Sequence, residues 1–172
     1  MPNWTENKIT VTGDAGDIRD FLHSVRSKES DFDFENLIPM PEILNHTACG
    51  IHYFDGKMCK SWYTVDIDRL FDTDDRPFTY EEELELSAIG HNSWYSWCVE
   101  NWGTKWNAKI PKIHSMGIET EVEITFDTAS SAPIPIFNKL HEMFPKLTFL
   151  FEWSNEGDDY EEKFSLVLEA TD

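Results

Sequence analysis

The segment IETEVEITF, residues 118–126, alternates between apolar side chains and glutamates over most of its length. Successive side chains of a β-strand point to opposite faces of the sheet, so this pattern predicts a strand with one buried and one solvated face. The buried face would carry Ile118, Thr120, Val122, Ile124 and Phe126, and the solvated face would carry Glu119, Glu121 and Glu123. The sequence therefore predicts a β-sheet that exposes a row of carboxylates.

Further strands and helices follow from the same kind of periodicity. Strands are predicted at 7–12, 109–115, 146–153 and 163–170, and helices at about 14–28, 79–90, 92–102 and 130–144. Thr79 and Glu82 have the spacing of a capping box, and Gly90 suits the end of that helix. Ser130 or Ser131 is expected to cap the last helix, because Pro133 is tolerated in its first turn.

Two segments are predicted to be less regular. FDFENLIPMPE at 32–42 alternates like a strand, but Pro39 and Pro41 cannot donate to a ladder, so a short edge strand is expected. Residues 43–77 are rich in glycine and polar residues, and only KSWYTVDI at 60–67 resembles a strand. The sequence therefore predicts an irregular insertion in this region. Residues 116–117 are expected to form a tight hairpin turn.

The order of elements is strand, helix, insertion, strand, strand, helix, strand, strand. This order predicts an α+β fold with a mainly antiparallel sheet and helices on one face. The specific expectation is a ferredoxin-like split βαβ arrangement with an added strand. With 172 residues, one domain is expected, interrupted by an irregular and helical insertion at about 43–106.

The chain is strongly acidic, with 14 Lys and Arg against 33 Asp and Glu, so that 14 − 33 = −19 with histidine neutral. This charge repels polyphosphates, and the basic residues are scattered singly, so direct binding of nucleic acid is not expected. A basic protein is the favoured kind of partner. The alternative is that the acidic surface serves only solubility.

The glutamates of the predicted strand could form a recognition surface. Residues on one side of a strand recur about every 6.8 Å, and neighbouring strands could add Glu152 and Glu169 to the row Glu119, Glu121 and Glu123. This spacing is comparable with that of duplex phosphates, so the row could occupy the basic groove of a nucleic-acid enzyme. The alternative is a solvated face whose charges protect an exposed sheet.

The segment WYSWCVENWGTKW, residues 94–106, holds four of the seven tryptophans. On a helix these rings lie on more than one face, a pattern typical of a buried helix, and core packing is the favoured interpretation. The alternative is a small-molecule or peptide pocket between the insertion and the sheet. Its walls would be Trp62, Trp94, Trp97, Trp102 and Trp106, with Lys105 in a polar role.

No sequence motif indicates catalysis or a cofactor, and we expect neither. The potential zinc ligands are Cys49, His52, Cys59, His91 and Cys98, but the pair Cys49 and His52 is not followed by a second close pair, as in most structural zinc sites. Carboxylates at 66, 68, 72, 74 and 75 lack the glycine and final glutamate of a calcium loop. Because these metal-ligand patterns are incomplete, a metal-dependent enzyme ranks only third among the hypotheses.

The compartment follows from what the sequence contains. The three cysteines, Cys49, Cys59 and Cys98, are odd in number and widely spaced, so reduced thiols are expected rather than a disulfide framework. The chain has neither an apolar run of membrane-spanning length nor the pattern of a signal peptide. A cytoplasmic protein without membrane association is therefore expected.

Four segments carry a resemblance to a known family. They are MPNWTENKITVTG at 1–13, FDFENLIPMPE at 32–42, WCVENWGTKWNA at 97–108 and FDTASSAPIPIFNKLHEMFPKLTF at 126–149. In this order they resemble the Api92-like or YubB-like family of plasmid and phage proteins with a ferredoxin-like domain. The chain departs from the family at Thr5, where relatives often carry cysteine, and at Ser130 and Ser131, where they often carry tryptophan. The family has no established catalytic residues, so the resemblance implies only the fold and a mobile-element origin.

Charge and resemblance together give the first functional hypothesis. It is a non-enzymatic mobile-element protein that binds and inhibits a basic host defence protein, such as a restriction or CRISPR nuclease, through its acidic surface. Nucleic-acid mimicry would be one way of doing so. The second hypothesis is the small-molecule or peptide-binding domain described above. The sequence identifies neither the partner nor the oligomeric state.

Overall fold

The computed structural model describes residues 3–47, 52–54, 57–59, 79–91, 93–115, 119–156 and 163–171. The chain divides into two compact units. The first consists of Met1–Pro39 together with Glu100–Asp172, and the second of Met40–Val99. The second unit overlaps most of the insertion that the sequence predicts at about 43–106.

Helices and strands are mixed along the chain. In order they are β1 (Trp4–Thr12), α1 (Ala15–Val25), two 3-10 helices (Phe34–Asn36 and Glu42–His46), β2 (His52–Phe54), β3 (Lys57–Cys59), α2 (Tyr80–Ile89), α3 (Trp94–Asn101), β4 (Lys109–Ser115), β5 (Glu121–Ala129), α4 (Ile134–Met143), β6 (Thr148–Asn155) and β7 (Lys163–Leu168). Within the described residues, no helix is both long and apolar enough to cross a membrane.

Five strands of the first unit form one sheet in the order β4-β5-β1-β6-β7. Every neighbouring pair in it is antiparallel. The central strand is β1, whose Ile9 lies opposite Ile124 of β5 and Phe151 of β6. In the second unit, β2 and β3 form a separate antiparallel pair. The predicted α+β class with an antiparallel sheet is thus confirmed.

One face of this sheet forms the core of the first unit. Its buried side chains include Ile9 and Val11 on β1, Val122, Ile124 and Phe126 on β5, and Phe149 and Phe151 on β6. Helices α1 and α4 pack on this face, since Phe21 of α1 meets Phe149 edge-on at 5.8 Å and Phe137 of α4 stacks on Phe151 at 4.1 Å. Burying each such side chain contributes about 1.5–3 kcal/mol, so ring packing holds both helices on the sheet.

Helix α2 begins and ends where the sequence predicts. The Thr79 hydroxyl accepts a hydrogen bond from the Glu82 N–H, and the Glu82 carboxylate accepts one from the Thr79 N–H. The helix ends at Gly90, whose φ of 79° lies in the left-handed region that glycine tolerates. These contacts are local, which is why the sequence alone predicts them.

The prediction of an edge strand at 32–42 is wrong, because residues Phe34–Asn36 form a 3-10 helix. Phe32 and Phe34 are both fully buried, as the alternation suggests. The backbone hydrogen bonds, however, go to side chains. The Glu35 N–H bonds Asp33 Oδ1 at 3.1 Å, and the Phe34 N–H bonds Asn107 Oδ1 at 2.9 Å. With these donors satisfied, the segment needs no strand partner.

The predicted serine cap of α4 is also wrong. Pro133 precedes the helix as its N-cap residue and provides no side-chain hydrogen bond. Ser130 has a φ of 71°, and the Ser131 hydroxyl donates to the carbonyl oxygen of Gly103 at 2.6 Å. Both serines thus belong to the turn before α4. The predicted strand at 60–67 and the turn at 116–117 lie outside the described residues.

Candidate binding site on the open face of the sheet

The sheet has a second face, on the side away from α1 and α4, which we call the open face. Alternation along the strands places on it Glu6, Lys8, Thr10 and Thr12 of β1, Glu121, Glu123, Thr125 and Asp127 of β5, and Glu152 and Ser154 of β6. All of these side chains are half-buried or exposed. The face is therefore polar and accessible, as expected for the solvated face of an antiparallel sheet.

Lys8 lies at the centre of the open face and binds two glutamates. Its ammonium nitrogen is 2.5 Å from Glu152 Oε2 and 3.8 Å from Glu123 Oε2. The hydrogen bond with Glu152 raises the pKa of Lys8, and the charges of Glu152 and Glu123 add to this shift, although partial burial opposes it. Lys8 therefore stays protonated at neutral pH and neutralises part of the predicted acidic row.

The structure separates the five glutamates of that row. Glu121 and Glu123 lie on β5, and Glu119 is exposed just before this strand. Glu152 lies two strands away on β6, with β1 and Lys8 between. Glu169 is exposed directly after β7. The row is thus interrupted rather than continuous.

Glu121 and Glu123 lie toward one end of the open face, and Glu119 and Glu169 lie in the chain segments next to that end. Thr12 at the end of β1 is opposite both Glu121 and Thr148, and the Thr148 hydroxyl accepts the N–H of Ala170, the neighbour of Glu169. We call Glu119, Glu121, Glu123 and Glu169 the acidic end. Among the described residues, Glu123 is the member of this set that forms an ion pair, with Lys8 at 3.8 Å.

Lysines occupy the rest of the open face and line a groove of about 500 Å³. Six charged side chains line it: Glu6, Lys8, Lys112, Asp127, Glu152 and Lys163. Three are acidic and three are basic, so the groove is close to neutral in a chain whose net charge is −19. Among the described residues, the open face therefore carries an excess of negative charge at its acidic end, where only Glu123 has an ion pair, and balanced charge in the groove.

Two tryptophans lie beside the groove, at the start of β1. The rings of Trp4 and Trp106 are 6.2 Å apart, and Trp106 is 39% exposed. The Lys109 ammonium lies 4.2 Å from the centre of the Trp4 ring, and the Lys105 ammonium 4.3 Å from that of Trp106. Cation–π contacts of this kind contribute about 0.5–1 kcal/mol at exposed sites. The polar role of Lys105 in the predicted pocket stays a prediction.

Two other predicted pocket tryptophans are buried. Trp97 and Trp102 are only 6% and 4% exposed. The Trp102 indole N–H donates to the Ile38 carbonyl at 2.9 Å, and its ring meets Phe34 edge-on. Trp94 is half-buried and packs on Tyr95. Trp62 lies outside the described residues, and the predicted pocket stays a prediction.

The segment that carries Lys105 and Trp106 is held by close contacts with the turn before α4. The Thr104 hydroxyl donates to the carbonyl oxygen of Ala129 at 2.9 Å, and the Ser131 hydroxyl to that of Gly103 at 2.6 Å. Further along, Asn107 Nδ2 donates to Asp33 Oδ1 at 2.7 Å. Residues of the WCVENWGTKWNA and FDTASSAPIPIF segments thus pack on one another, so these sequence motifs are explained by structure.

The potential metal ligands do not come together in the part of the chain that the structure describes. There, no three histidine, cysteine or carboxylate groups are close enough to hold an ion. Cys98 is buried with its sulfur 3.8 Å from that of Met40, and His91 bonds the Ser96 hydroxyl. Cys49 and the side chains of His52 and Cys59 lie outside this part, as do the carboxylates of residues 66–75.

Sequence reasoning missed the residues that shape the open face most. The alternation of NKITVT predicts that Lys8 and Ile9 point to opposite faces of the sheet, so the sequence predicts a lysine on the solvated face of β1. The strand register could not be predicted, because nothing in the local sequence indicates that Lys8 lies beside Glu152 or that Glu6 lies opposite Asp127.

Comparisons with family models, with curated proteins and with solved structures gave no significant match.

Proposed function

We propose that this chain is a non-enzymatic protein that binds a basic partner protein through the acidic end of the open face. The observation that carries the proposal is the position of Glu121. It lies with Glu123 on an accessible sheet face, two residues after the exposed Glu119, and it forms no ion pair among the described residues. Basic side chains of a partner would supply the positive charges that the described residues do not place beside Glu121.

The net charge of −19 supports the same partner chemistry. A field of this sign accelerates encounter with a basic protein and repels nucleic acid. At moderate ionic strength the Debye length is about 8–10 Å, so the attraction depends strongly on salt. A rigid sheet holds the carboxylates at fixed spacing, which lowers the entropy cost of forming several ion pairs at once.

Duplex mimicry is the narrower form of this proposal. It requires a long row of negative charge, and Lys8 interrupts the row between Glu123 and Glu152. The proposal therefore rests on the acidic end alone. A basic groove that normally receives a nucleic-acid backbone remains a suitable partner surface, because three neighbouring carboxylates can replace a few phosphates.

The arrangement of the sheet supports a ferredoxin-like assignment, which we also propose. Strand β5 lies between β1 and β4 and is antiparallel to both, and α1 and α4 follow β1 and β5 on one face. This order is the one expected of a split βαβ arrangement with β7 added at the edge, and it supports the assignment. Together with the four sequence segments, it supports membership of the Api92-like or YubB-like family. A cytoplasmic host defence protein, such as a restriction or CRISPR nuclease, is then the partner class.

Binding to purified nucleases tests the proposal. The immobilised chain is exposed to a panel of basic restriction and CRISPR nucleases at low and high ionic strength, and DNA cleavage is measured with and without the chain. We expect at least one nuclease to bind, with an affinity that falls as salt rises and with reduced cleavage. Absence of binding across the panel at low ionic strength would contradict the proposal.

A further inference from the structure

The groove on the open face runs across the whole sheet. Its lining includes residues from β4, β5, β1, β6 and β7, among them Lys112 at one edge and Lys163 at the other. Neighbouring strands are about 4.8 Å apart, so the groove is roughly 19 Å long. An extended peptide advances about 3.3 Å per residue, and about six residues would therefore fill it.

The charges along this groove follow a definite order. Lys112 and Lys163 lie at the two ends, on the edge strands, and Glu6 and Asp127 face each other near the centre. None of these four side chains forms an ion pair in the part of the chain that the structure describes. Lys8 and Glu152, in contrast, bind each other. The groove thus offers positive charge at its ends and negative charge in its middle.

The cross-strand position of Glu6 opposite Asp127 does not stabilise the sheet. Carboxylates directly opposite each other on neighbouring strands repel and destabilise a sheet. A nearby lysine, Lys109, is opposite Asp127 in the register, but its ammonium lies over the Trp4 ring at 4.2 Å. A basic side chain from outside the molecule would remove the repulsion.

We propose that this groove binds an extended segment of about six residues from a partner protein, with basic residues in the middle and acidic residues at both ends. The central arginine or lysine meets Glu6 and Asp127, and the flanking carboxylates meet Lys112 and Lys163. This inference rests on the proposed binding function and extends it, because it adds a sequence-selective site beside the acidic end.

Two labelled hexapeptides of equal net charge test the groove. The first has the sequence Asp-Ala-Arg-Lys-Ala-Asp, and the second, Lys-Ala-Asp-Glu-Ala-Lys, reverses the charge order. Both have zero net charge, so the overall field of the protein does not favour either. By fluorescence polarisation we expect the first to bind at least about tenfold more tightly, the effect of one or two charge-assisted hydrogen bonds. Equal affinities would overturn the inference.

Variants of the full chain locate the binding site. Glu6→Gln with Asp127→Asn should abolish the preference between the peptides. Glu83→Gln with Glu85→Gln, at two exposed positions of α2, changes the net charge equally and should preserve the preference. Circular dichroism confirms that both variants are folded. A peptide preference that survives in the Glu6→Gln, Asp127→Asn variant would overturn the inference. Self-association of the wild-type chain that the same variant abolishes would also overturn it, because the occupant of the groove would then be a second copy of this chain.

The peptide and nuclease experiments fail independently. If a nuclease binds but both peptides bind equally, the groove inference is wrong and the proposed function stands. If the first peptide binds selectively but no nuclease does, the groove binds peptide and the proposed partner class is wrong.

Discussion

Gly103 connects α3 to the segment that carries Lys105 and Trp106, and its replacement by alanine tests how closely that segment packs. Its φ of 78° lies in the left-handed region, where a side chain costs about 1–2 kcal/mol. A Cβ there would also lie 2.7 Å from Pro135 Cδ and 3.2 Å from the Ile134 nitrogen. Crowding at a packed site costs about 1–3 kcal/mol. We therefore expect Gly103→Ala to lower the free energy of unfolding by about 2–5 kcal/mol.

Two other glycines separate the two contributions. Gly90 has a φ of 79° but open space where a Cβ would lie, so Gly90→Ala should cost only the conformational part, about 1–2 kcal/mol. Gly16 lies in α1 with no positive φ and open space, so Gly16→Ala should raise stability by about 0.5–1 kcal/mol. The three variants share one chemical change and differ only in surroundings.

Urea unfolding followed by circular dichroism measures the three free energies. The expected order of stability is Gly16→Ala, wild type, Gly90→Ala, Gly103→Ala. The result that would refute the reasoning is a Gly103→Ala variant no less stable than Gly90→Ala. The close approach of Gly103 to the start of α4 would then be absent in solution, and with it the support for Lys105 and Trp106.

Two further substitutions test the contacts that shape the open face and its support. Lys8→Gln leaves Glu123 and Glu152 without their cation and should lower stability at pH 7 by up to about 1 kcal/mol, since the pairs are partly exposed. The folded state raises the pKa of Lys8 above its ordinary 10.5, so the stabilisation by Lys8 is complete below that value and is lost as the pH rises through the raised pKa. A stability difference between wild type and Lys8→Gln that persists in urea titrations above that pKa would contradict the ion pairs. Asn107→Ala removes the acceptor of the Phe34 N–H and the donor to Asp33, and should lower the free energy of unfolding by about 2–3 kcal/mol. Asn36→Ala loses one exposed hydrogen bond and should lower it by less than about 1 kcal/mol. Equal losses of stability in the two variants would refute the role of Asn107.

Local patterns predict most of the secondary structure. The alternation of 118–126 correctly places Val122, Ile124 and Phe126 in the core, because period-two patterning needs no knowledge of the partner strand. The capping box of Thr79 and Glu82 is also correct, since both residues lie in one turn. Elements whose determinants are close in sequence are therefore accessible to sequence reasoning.

Contacts between distant residues account for the wrong predictions. Within the segment 32–42, residues Phe34–Asn36 form a 3-10 helix because Asn107, 73 residues beyond Phe34, accepts the Phe34 N–H. Likewise, the predicted acidic row is interrupted because the register places Lys8 of β1 beside Glu152 of β6. A lysine on the solvated side of β1 could be predicted from the sequence, but its glutamate partners could not.

A charge-matched comparison tests the central claim most directly, namely that the acidic end of the open face binds a basic partner. Glu119→Gln with Glu121→Gln removes two carboxylates from the acidic end, and Glu83→Gln with Glu85→Gln removes two from α2. Binding to a nuclease that recognises the wild-type chain is then measured for both at one ionic strength. The account predicts at least about tenfold weaker binding for the first variant only. Equal binding of the two variants would contradict it, because the attraction would then depend on net charge and not on this surface.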